Sequence, residues 1–440
     1  MISRISFQNL RTSCKNFIYE SLIPFLWRCS KSSYYSNRRS LSCFAVNSKK
    51  IGIIVWNYAG HNIGDEIIFR TLCGQIKKYF HNYYIILNTY SSNKFIIEWK
   101  KLNVISVYDG VSFINRYIIK HLINLITILF KSKLNNAKII IIGGGDVYHK
   151  NHITDFLIIS ILSKLIRYKI IWYFIGIVEY PYNYLHKLFF IITFKLADVI
   201  SVRDVRSASF TASLRKNISD IIIGPDPAFL FEANSSSNYN TTITEDKIKT
   251  IAINIRSDEP AYNLKISNLF LNKFANIIDS LIKDFNYNIT FIPFDFEGND
   301  ERILKKLFTL IRMKEKINFL TVYNVNDVIN EFRKVDICIG MRLHFNILSL
   351  LNNKPTMIIS YSPKTTMLAN QLEIPYLTIR EIEESSTYLD QFFRKFSIVL
   401  SSINTINREV LKQKDAAYYS NFILFKKIFE KLKRINKNYY

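Results

Sequence analysis

An arginine and a histidine stand two residues apart in the segment GMRLH, where Arg342 and His344 follow the apolar run VDICI. The apolar residues continue in LHFNILSLL, which predicts a buried strand, a turn and then a helix. The guanidinium group suits a carboxylate or phosphate, and a histidine at a helix N-terminus can move a proton near neutral pH. This turn therefore predicts an anion clamp beside a general acid. The structural alternative is a strand-capping arginine and a buried histidine.

Two segments in the first half of the chain carry polar residues of related kinds. SVRD places Arg203 beside Asp204 at the end of a predicted strand, which fits anion binding and a strand-closing ion pair equally well. NIGDE places Asn62, Gly64 and Asp65 at the start of a predicted helix. The open amides of a helix N-terminus attract anions, although Asn62 or Asp65 could simply cap the helix.

A glycine run follows a third apolar strand in IIIIGGGDVYH, which contains Gly143, Gly144, Gly145, Asp146 and His149. One tight turn explains one glycine, whereas three in succession favour a backbone that approaches a ligand closely. The run is not GxGxxG, so it does not predict dinucleotide binding.

The elements that position these residues form a regular alternation from residue 51 onward. Short runs rich in Ile and Val alternate with helical stretches, and such near-continuous apolar runs are typical of parallel strands buried on both faces. The predicted fold class is α/β, with two doubly wound Rossmann-like domains facing across a cleft. Ligands of such sheets bind beyond the carboxyl ends of the strands. The predicted strands are IGIIVWNY, YYIILNTY, NVISVYD, KIIIIGGGD, KIIWYFIGIVE, DVISVRD, DIIIGPDPAFLF, IKTIAINIR, YNITFIPFD, INFLTVY, VDICIGMR, KPTMIISY and PYLTI.

Composition divides the chain into five parts. The first 50 residues are basic and Ser-rich with Glu20 as their acid, which is typical of a transit peptide, a basic membrane-docking arm or sequence upstream of the true start. A polar Ser/Asn/Thr-rich stretch interrupts the alternation and predicts a linker. The predicted parts are an extension over 1–50, an α/β domain over 51–235, a linker over 236–248, a second α/β domain over 249–385 and a helical segment over 386–440.

Charge and cysteine content restrict the classes of function. Lys and Arg outnumber Asp and Glu by 59 to 35, a formal net charge of +24, which favours anionic partners unless it reflects a biased genome. The five cysteines include no CxxC pair, so neither a zinc site nor a disulfide framework is predicted. Runs such as DFLIISILSKLI fall short of the roughly 18–20 uncharged residues of a membrane span. We expect a cytoplasmic protein and leave open peripheral contact with the inner face of the membrane.

The strand-end motifs, taken in order, resemble the polysaccharide pyruvyl transferase family. The matching motifs are NIGDEIIFRTL, IIIIGGGD, VISVRDVRSASF, GPDPAFLF and GMRLHFNILSLLNNKPTMIISYSPKTTMLANQLEIP, and RLH followed by KP and Y-x-x-K is the most specific part. The resemblance implies a fold similar to the GT-B glycosyltransferases. It implies transfer of pyruvate from phosphoenolpyruvate to a sugar of a bacterial cell-surface glycan as a ketal, with no metal and no cofactor.

The implied chemistry assigns roles to the strand-end residues. Phosphoenolpyruvate carries a phosphate and a carboxylate, so Arg203 and Arg342 would clamp it from two sides of the cleft, with Lys364 of SYSPK as a third cation. His344 would protonate the methylene carbon of the donor. The candidates for orienting or deprotonating the acceptor hydroxyl are Asp65, Asp146 and His149, and the remaining binding candidates are Asn62, Gly64, Gly143, Gly144 and Gly145.

Three other functions compete with this interpretation. A GT-B glycosyltransferase would hold the diphosphate of a nucleotide sugar in the same cleft. A non-enzymatic glycan-assembly protein would need no intact site, which the presence of Arg203, Arg342 and His344 argues against. Nucleic acid is not expected as a partner, because the aromatic residues lie in apolar patterns instead of on a basic platform. The expected partners are phosphoenolpyruvate and a glycan or lipid-linked glycan acceptor.

Overall fold

The structure of the protein is a computed structural model. It describes residues 51–56, 62–80, 82–89, 99–109, 129, 137–148, 153–177, 184–215, 220–232, 249–257 and 265–436. The predicted extension over 1–50, the predicted linker over 236–248 and the candidate His149 lie outside these residues.

Two parallel sheets organise the chain, and all thirteen predicted strands form. The first sheet has the order β3-β2-β1-β4-β5-β6-β7 and the second has the order β10-β9-β8-β11-β12-β13. The predicted α/β class with two Rossmann-like domains is confirmed. The strands are β1 Ile51–Trp56, β2 Tyr83–Thr89, β3 Val104–Asp109, β4 Ala137–Tyr148, β5 Lys169–Ile177, β6 Val199–Val202, β7 Ile221–Ile223, β8 Thr250–Asn254, β9 Asn288–Phe291, β10 Ile317–Phe319, β11 Ile337–Gly340, β12 Thr356–Ser360 and β13 Tyr376–Thr378.

Helices connect the described strands. One-turn 3-10 helices also form over Pro227–Leu230 and Lys314–Lys316. The α-helices are α1 Ile63–Tyr79, α2 Ile153–Leu165, α3 Tyr184–Leu196, α4 Val205–Arg215, α5 Asn268–Lys283, α6 Asn299–Leu310, α7 Val325–Lys334, α8 Leu343–Leu351, α9 Pro363–Gln371, α10 Ile379–Glu384, α11 Tyr388–Ser401 and α12 Ile403–Asn436.

Each sheet reverses its strand order at one point, which fixes where a ligand would bind. The reversal lies between β1 and β4 in the first sheet and between β8 and β11 in the second. Parallel register across both junctions brings the carboxyl ends of these strands to one edge. A crevice opens beyond the strand ends at such a reversal because the following helices leave on opposite faces. The glycine run, which was predicted to follow the fourth strand, lies within the C-terminal part of β4, and it and the turn after β11 lie at these two reversals.

The N-terminus of α1 joins the two domains. The backbone N–H of Ile63 donates to the carbonyl oxygen of Phe294 at 3.2 Å, and Asn62 forms an antiparallel bridge with Asp295. The side chains of Ile63 and Ile67 are fully buried in a core that α8 also fills. The start of the first-domain helix is therefore held directly against the second domain.

The C-terminal helix α12 returns to the first domain, which the sequence pattern did not reveal. The hydroxyl of Tyr173 in β5 donates to Oδ1 of Asn421 at 3.1 Å, and the ring of Phe425 stacks on Tyr79 with centroids 4.7 Å apart. Leu424, Phe425 and Ile428 are buried in the core of the first sheet. The helix packs against the first domain and also contacts the second.

Candidate active site

Arg342 follows β11 and lies in a network of buried carboxylates. Its Nε donates to Oδ2 of Asp300 at 2.6 Å and its Nη2 donates to Oδ1 at 2.7 Å, a bidentate pair. A longer contact of 3.3 Å joins Nη2 to Asp295. The backbone N–H of Arg342 also donates to Asn254 at 3.1 Å. The guanidinium group is thus fixed within the second domain, and its fork faces Asp300.

The charged groups in this network shift one another's pKa values. Burial and the neighbouring Asp300 carboxylate raise the pKa of Asp295, against the opposing effect of Arg342. Burial disfavours the charged form of Arg342, but the Asp300 and Asp295 carboxylates outweigh it and raise the pKa of the guanidinium. Arg342 is therefore a permanent cation whose charge is largely balanced within its own domain.

Asp226 connects the two domains through an arginine and a histidine. It caps the 3-10 helix after β7, where its Oδ1 accepts from the backbone N–H of Ala228 at 3.0 Å. Its Oδ2 accepts from Nη1 of Arg203, which follows β6, at 2.9 Å. The same oxygen lies 3.4 Å from Nε2 of His344 at the start of α8. One carboxylate thus joins the two strand-end motifs SVRD and RLH.

The surroundings of Asp226 keep it ionised. Burial opposes ionisation, but the charges of His344 and Arg203 and the N–H of Ala228 prevail and hold the pKa of Asp226 well below its usual range. An ionised carboxylate at Nε2 stabilises the imidazolium form of histidine and fixes the ring orientation. The Asp226 carboxylate therefore fixes the orientation of the His344 imidazole.

The other face of His344 meets the N-terminus of α1. A Cβ atom built on Gly64 would lie 2.1 Å from Nδ1 of His344 and 3.0 Å from Oδ1 of Asn62, so a side chain cannot fit there without displacement. Asn62 caps the helix by accepting from the backbone N–H of Asp65 at 3.0 Å, and its Nδ2 donates to the Asp65 carboxylate. The predicted capping by Asn62 is present, and Gly64 has a steric reason to be glycine.

The glycine run of β4 lies against the same helix end. Gly143, Gly144 and Gly145 have φ values of 122°, 89° and 96°, which other residues adopt only with strain. A Cβ atom on Gly145 would lie 3.5 Å from Oδ1 of Asp65. Gly145 therefore lies beside the helix start at the reversal of the first sheet, whereas Gly143 faces the neighbouring strand β5, where an added Cβ atom would lie 2.5 Å from Ile175.

A second group of cations surrounds Tyr361, which follows β12. Arg256, which follows β8, donates from Nη1 to the Tyr361 hydroxyl at 3.1 Å, and its guanidinium carbon lies 5.4 Å from the ring centroid. The Nζ of Lys364 lies 5.6 Å from that centroid. Burial raises the pKa of Tyr361, but Lys364, Arg256 and Arg342 prevail and lower it below the ordinary value. Three cations, Lys364, Arg256 and Arg342, thus lie close enough to Tyr361 to stabilise its ionised form.

The structure brings most of the predicted residues to one region. His344, Arg203, Asn62, Gly64, Asp65 and Gly145 meet around Asp226 and the start of α1, whereas Lys364 and Arg342 belong to the neighbouring cationic group. For Asp146 the structure describes its backbone position in β4. Sequence reasoning did not single out four participants, Asp226, Arg256, Asp300 and Tyr361; Asp300 lies in α6, beyond the predicted strand YNITFIPFD.

This arrangement can bind an anion and transfer a proton beside it. The helix N-terminus and the cations around Tyr361 provide positive potential, and His344, oriented by Asp226, provides an imidazole that can transfer a proton. Phe345 points away from this region, because its buried ring packs against Phe294 and Phe332. The helix α8 therefore divides its residues between the site and the core.

Comparison with known families agrees with the motif pattern. The family model of polysaccharide pyruvyl transferase matches residues 62–363, a range that ends one residue before Lys364 and contains the other site residues described above. The chain belongs to the polysaccharide pyruvyl transferase family. Membership makes it a transferase of the pyruvyl transferase type. No curated protein matches the chain.

Solved structures share the fold at low identity. A putative UDP-N-acetylglucosamine 2-epimerase from Listeria monocytogenes has a TM-score of 0.60 at 10% identity, over 88% of this chain and 97% of that one. The UDP-GlcNAc 2-epimerase from Neisseria meningitidis, bound to UDP-GlcNAc, has a TM-score of 0.57 at 9% identity, over 87% and 100%. Anabaena Alr3699/HepE, in complex with UDP and glucose, has a TM-score of 0.55 at 10% identity, over 87% and 99%. These likenesses show the two-domain GT-B-like fold.

None of the helices in the described part of the chain combines the length and the apolar composition that crossing a bilayer requires.

Proposed function

We propose that the pyruvyl transferase moves pyruvate from phosphoenolpyruvate onto a sugar of a cell-surface polysaccharide, or of its precursor, as a ketal. The observation that carries the proposal is the Arg203–Asp226–His344 chain, which joins the two domains inside the region matched by the family. It provides a cation, a fixed carboxylate and a proton-carrying imidazole at the edge where α/β sheets bind ligands.

The donor is proposed to bind between the start of α1 and the cations around Tyr361. A phosphate and a carboxylate need at least two positive partners, and Arg256 and Lys364 flank one side of Tyr361. Arg342 is already paired with Asp300, so its contribution is a fixed charge and the alignment of the turn that bears His344. Arg203 lies on the opposite side of the proposed donor site, where it is paired with Asp226.

The proposed reaction uses these groups and conserves every atom and proton. His344 donates a proton to the methylene carbon of the donor, which becomes a methyl group while positive charge develops at C2. A first acceptor hydroxyl attacks C2 and loses its proton to a base, for which Asp65 and Asp146 are the candidates. The C2–O bond to phosphate then breaks, and inorganic phosphate leaves with the electron pair. A second hydroxyl attacks C2 and passes its proton to the departing phosphate, which closes the ketal, and the proton held by the base returns to His344.

The acceptor is proposed to be a glycan or a lipid-linked glycan, met in the cytoplasm at the inner face of the membrane. The basic residues before Ile51 and in KKIFEKLKRINKNYY favour an anionic surface. We expect salt-sensitive binding of the full chain to anionic vesicles, because the Debye length shrinks from about 10 Å at 0.1 M salt to about 3 Å at 1 M. Absence of binding at low salt would reject this contact.

A nucleotide-sugar glycosyltransferase is the second candidate function. The observation that favours it is the fold shared with proteins whose structures hold UDP-GlcNAc or UDP and glucose. The cations around Tyr361 would then hold a diphosphate. The family match over residues 62–363 favours pyruvyl transfer over this alternative, because a family model describes the motifs and the fold likeness describes only the architecture.

Donor binding separates the two candidates. We expect phosphoenolpyruvate to raise the melting temperature of the full chain in a concentration-dependent manner, and UDP-glucose to raise it less at equal concentration. The Lys364→Ala variant, which removes one of the cations beside Tyr361, should lose most of the phosphoenolpyruvate effect. A shift produced by UDP-glucose alone, and abolished in Lys364→Ala, would replace pyruvyl transfer with the glycosyltransferase function.

A further inference from the structure

A cavity of about 790 Å³ lies away from the candidate active site, on the far part of α1. Its lining comes from both domains and includes α1, the residues before β3, the end of the 3-10 helix, α7 and α12. The helix face from Thr71 to Lys78 begins seven residues beyond Gly64. At about 1.5 Å per residue, the cavity therefore starts roughly 10 Å along the helix from the candidate site and extends further away.

Positive charge dominates this cavity. Five Lys and Arg side chains line it against one acid, Glu232. Arg70 is paired with the buried carboxylate of Glu66 at 2.9 Å, and the Nζ of Lys78 lies 5.1 Å from the ring centroid of Tyr418. Three of these cations lie on α1, one precedes β3 and one lies on α7, so several positive charges meet at one concave surface. The five basic residues are Arg70, Lys77, Lys78, Lys101 and Arg333.

Two buried polar side chains border the cavity, and each has one polar atom without a partner among the described residues. Thr71 and Gln75 are 5% and 7% exposed, and both line the cavity. Among the described residues, Oγ1 of Thr71 and Oε1 of Gln75 have no hydrogen-bond partner. A buried polar atom without a partner costs about 1–3 kcal/mol, so such atoms are rarely retained without a use. A hydroxyl and a carboxamide can both donate to and accept from a bound polar molecule.

The cavity also offers apolar surface for an organic group. Leu102, Leu230 and Ile329 line it together with the rings of Phe231 and Tyr418. Ligand pockets of about 300–1,000 Å³ typically combine such surface with a few placed polar groups. A small single anion would leave most of this volume and most of the cations unused.

We propose that this cavity is a second ligand site, which binds the diphosphate group of an organic diphosphate. The Lys and Arg side chains take the diphosphate, Thr71 and Gln75 direct it, and the aromatic and aliphatic lining takes the attached group. The site lies on α1 as the candidate active site does, but it shares none of that site's residues, so it does not depend on which donor the enzyme uses.

The test is calorimetric titration of the full chain with inorganic diphosphate, UDP and a short-chain prenyl diphosphate. We expect inorganic diphosphate to bind, and one of the two organic diphosphates to bind more tightly and so to identify the attached group as a nucleoside or a lipid. Equal affinity for all three would show a site for the diphosphate alone. No binding of any of them would overturn the proposal.

Matched variants locate the site. Lys77→Ser with Lys101→Ser should weaken diphosphate binding at least tenfold, whereas Lys265→Ser with Lys283→Ser removes the same charge elsewhere and should leave it unchanged. Saturating phosphoenolpyruvate should not compete. Equal affinity of both double variants would overturn the second site. Competition by phosphoenolpyruvate, together with loss of binding in Lys364→Ala, would also overturn it and would assign the diphosphate to the candidate active site. Failure of phosphoenolpyruvate to bind would overturn the proposed function alone.

Discussion

Nε2 of His344 lies 3.4 Å from Oδ2 of Asp226, although the two residues are 118 positions apart and belong to different domains. The same carboxylate binds Arg203. This contact exists only while the two domains face each other as they do here, so it couples the orientation of the imidazole to the arrangement of the domains. The proposed proton transfer therefore depends on the cleft as a whole.

His344→Ala should lower kcat for pyruvyl transfer by roughly 10²-fold or more, because it removes the proton donor. The KM for phosphoenolpyruvate should change much less, since the proposed anion contacts remain. Steady-state kinetics with varied phosphoenolpyruvate measure both constants. Partial rescue by added imidazole would support the assignment. Near-wild-type transfer by a folded variant would pass the role to another group, with His149 and His61 as the next candidates.

Gly64→Ala should abolish most activity while leaving a folded protein. The added Cβ would lie 2.1 Å from Nδ1 of His344, so the imidazole must move. Gly74→Ala on the same helix is the matched control, because a Cβ there meets nothing within 4 Å. The control should retain activity and gain roughly 0.5–1 kcal/mol in stability from reduced helix entropy. Equal activity of the two variants would contradict the tight approach of His344.

Arg342→Lys should raise the KM for phosphoenolpyruvate and also lower the free energy of unfolding. Lysine keeps the charge but loses the bidentate pair with Asp300. Kinetics and denaturant unfolding separate the two effects. Asp300→Asn is the comparison, since it weakens the same pair while keeping the guanidinium. An unchanged KM in Arg342→Lys, with only a stability loss, would make Arg342 a structural cation.

Asp226→Asn should destabilise the protein near neutral pH by about 3–5 kcal/mol, because it leaves buried positive groups without their carboxylate. The pKa of Asp226 is lower in the folded protein than in the unfolded chain, where it is about 3.9. The stabilisation is therefore complete above that pH and is lost as pH falls toward the folded pKa. Denaturant unfolding at about pH 6 and about pH 3 should show a smaller difference between wild type and variant at the lower pH. A difference that grows on acidification would contradict the ionised state of Asp226.

The strands and the strand-end motifs could be predicted from local pattern, because a parallel strand buried on both faces has a short Ile- and Val-rich run of its own. The turn with Arg342 and His344 was found in the same way. The hydrogen-bond partners of Arg342 and His344 could not be predicted in this way. Asp300 lies 42 positions from Arg342, and Asp226 lies in the other domain, so both contacts depend on tertiary packing.

The return of α12 to the first domain escaped prediction for a related reason. Its sequence shows a helix with apolar residues on part of its surface, which fits packing against either domain. The contact of Asn421 with Tyr173, which lies 248 positions away, shows that the helix packs against the first domain. Local periodicity fixes the type of an element better than its partner.

The most direct test of the proposed transfer is incubation of the full chain with phosphoenolpyruvate and a panel of candidate glycan acceptors. Phosphate release and the mass of the acceptor are followed together, with His344→Ala as the control. We expect one phosphate to be released for each acceptor that gains one pyruvyl ketal, and the rate to be roughly 10²-fold lower in the control. Transfer of a sugar from UDP-glucose, with no ketal formed from phosphoenolpyruvate on any acceptor, would contradict it.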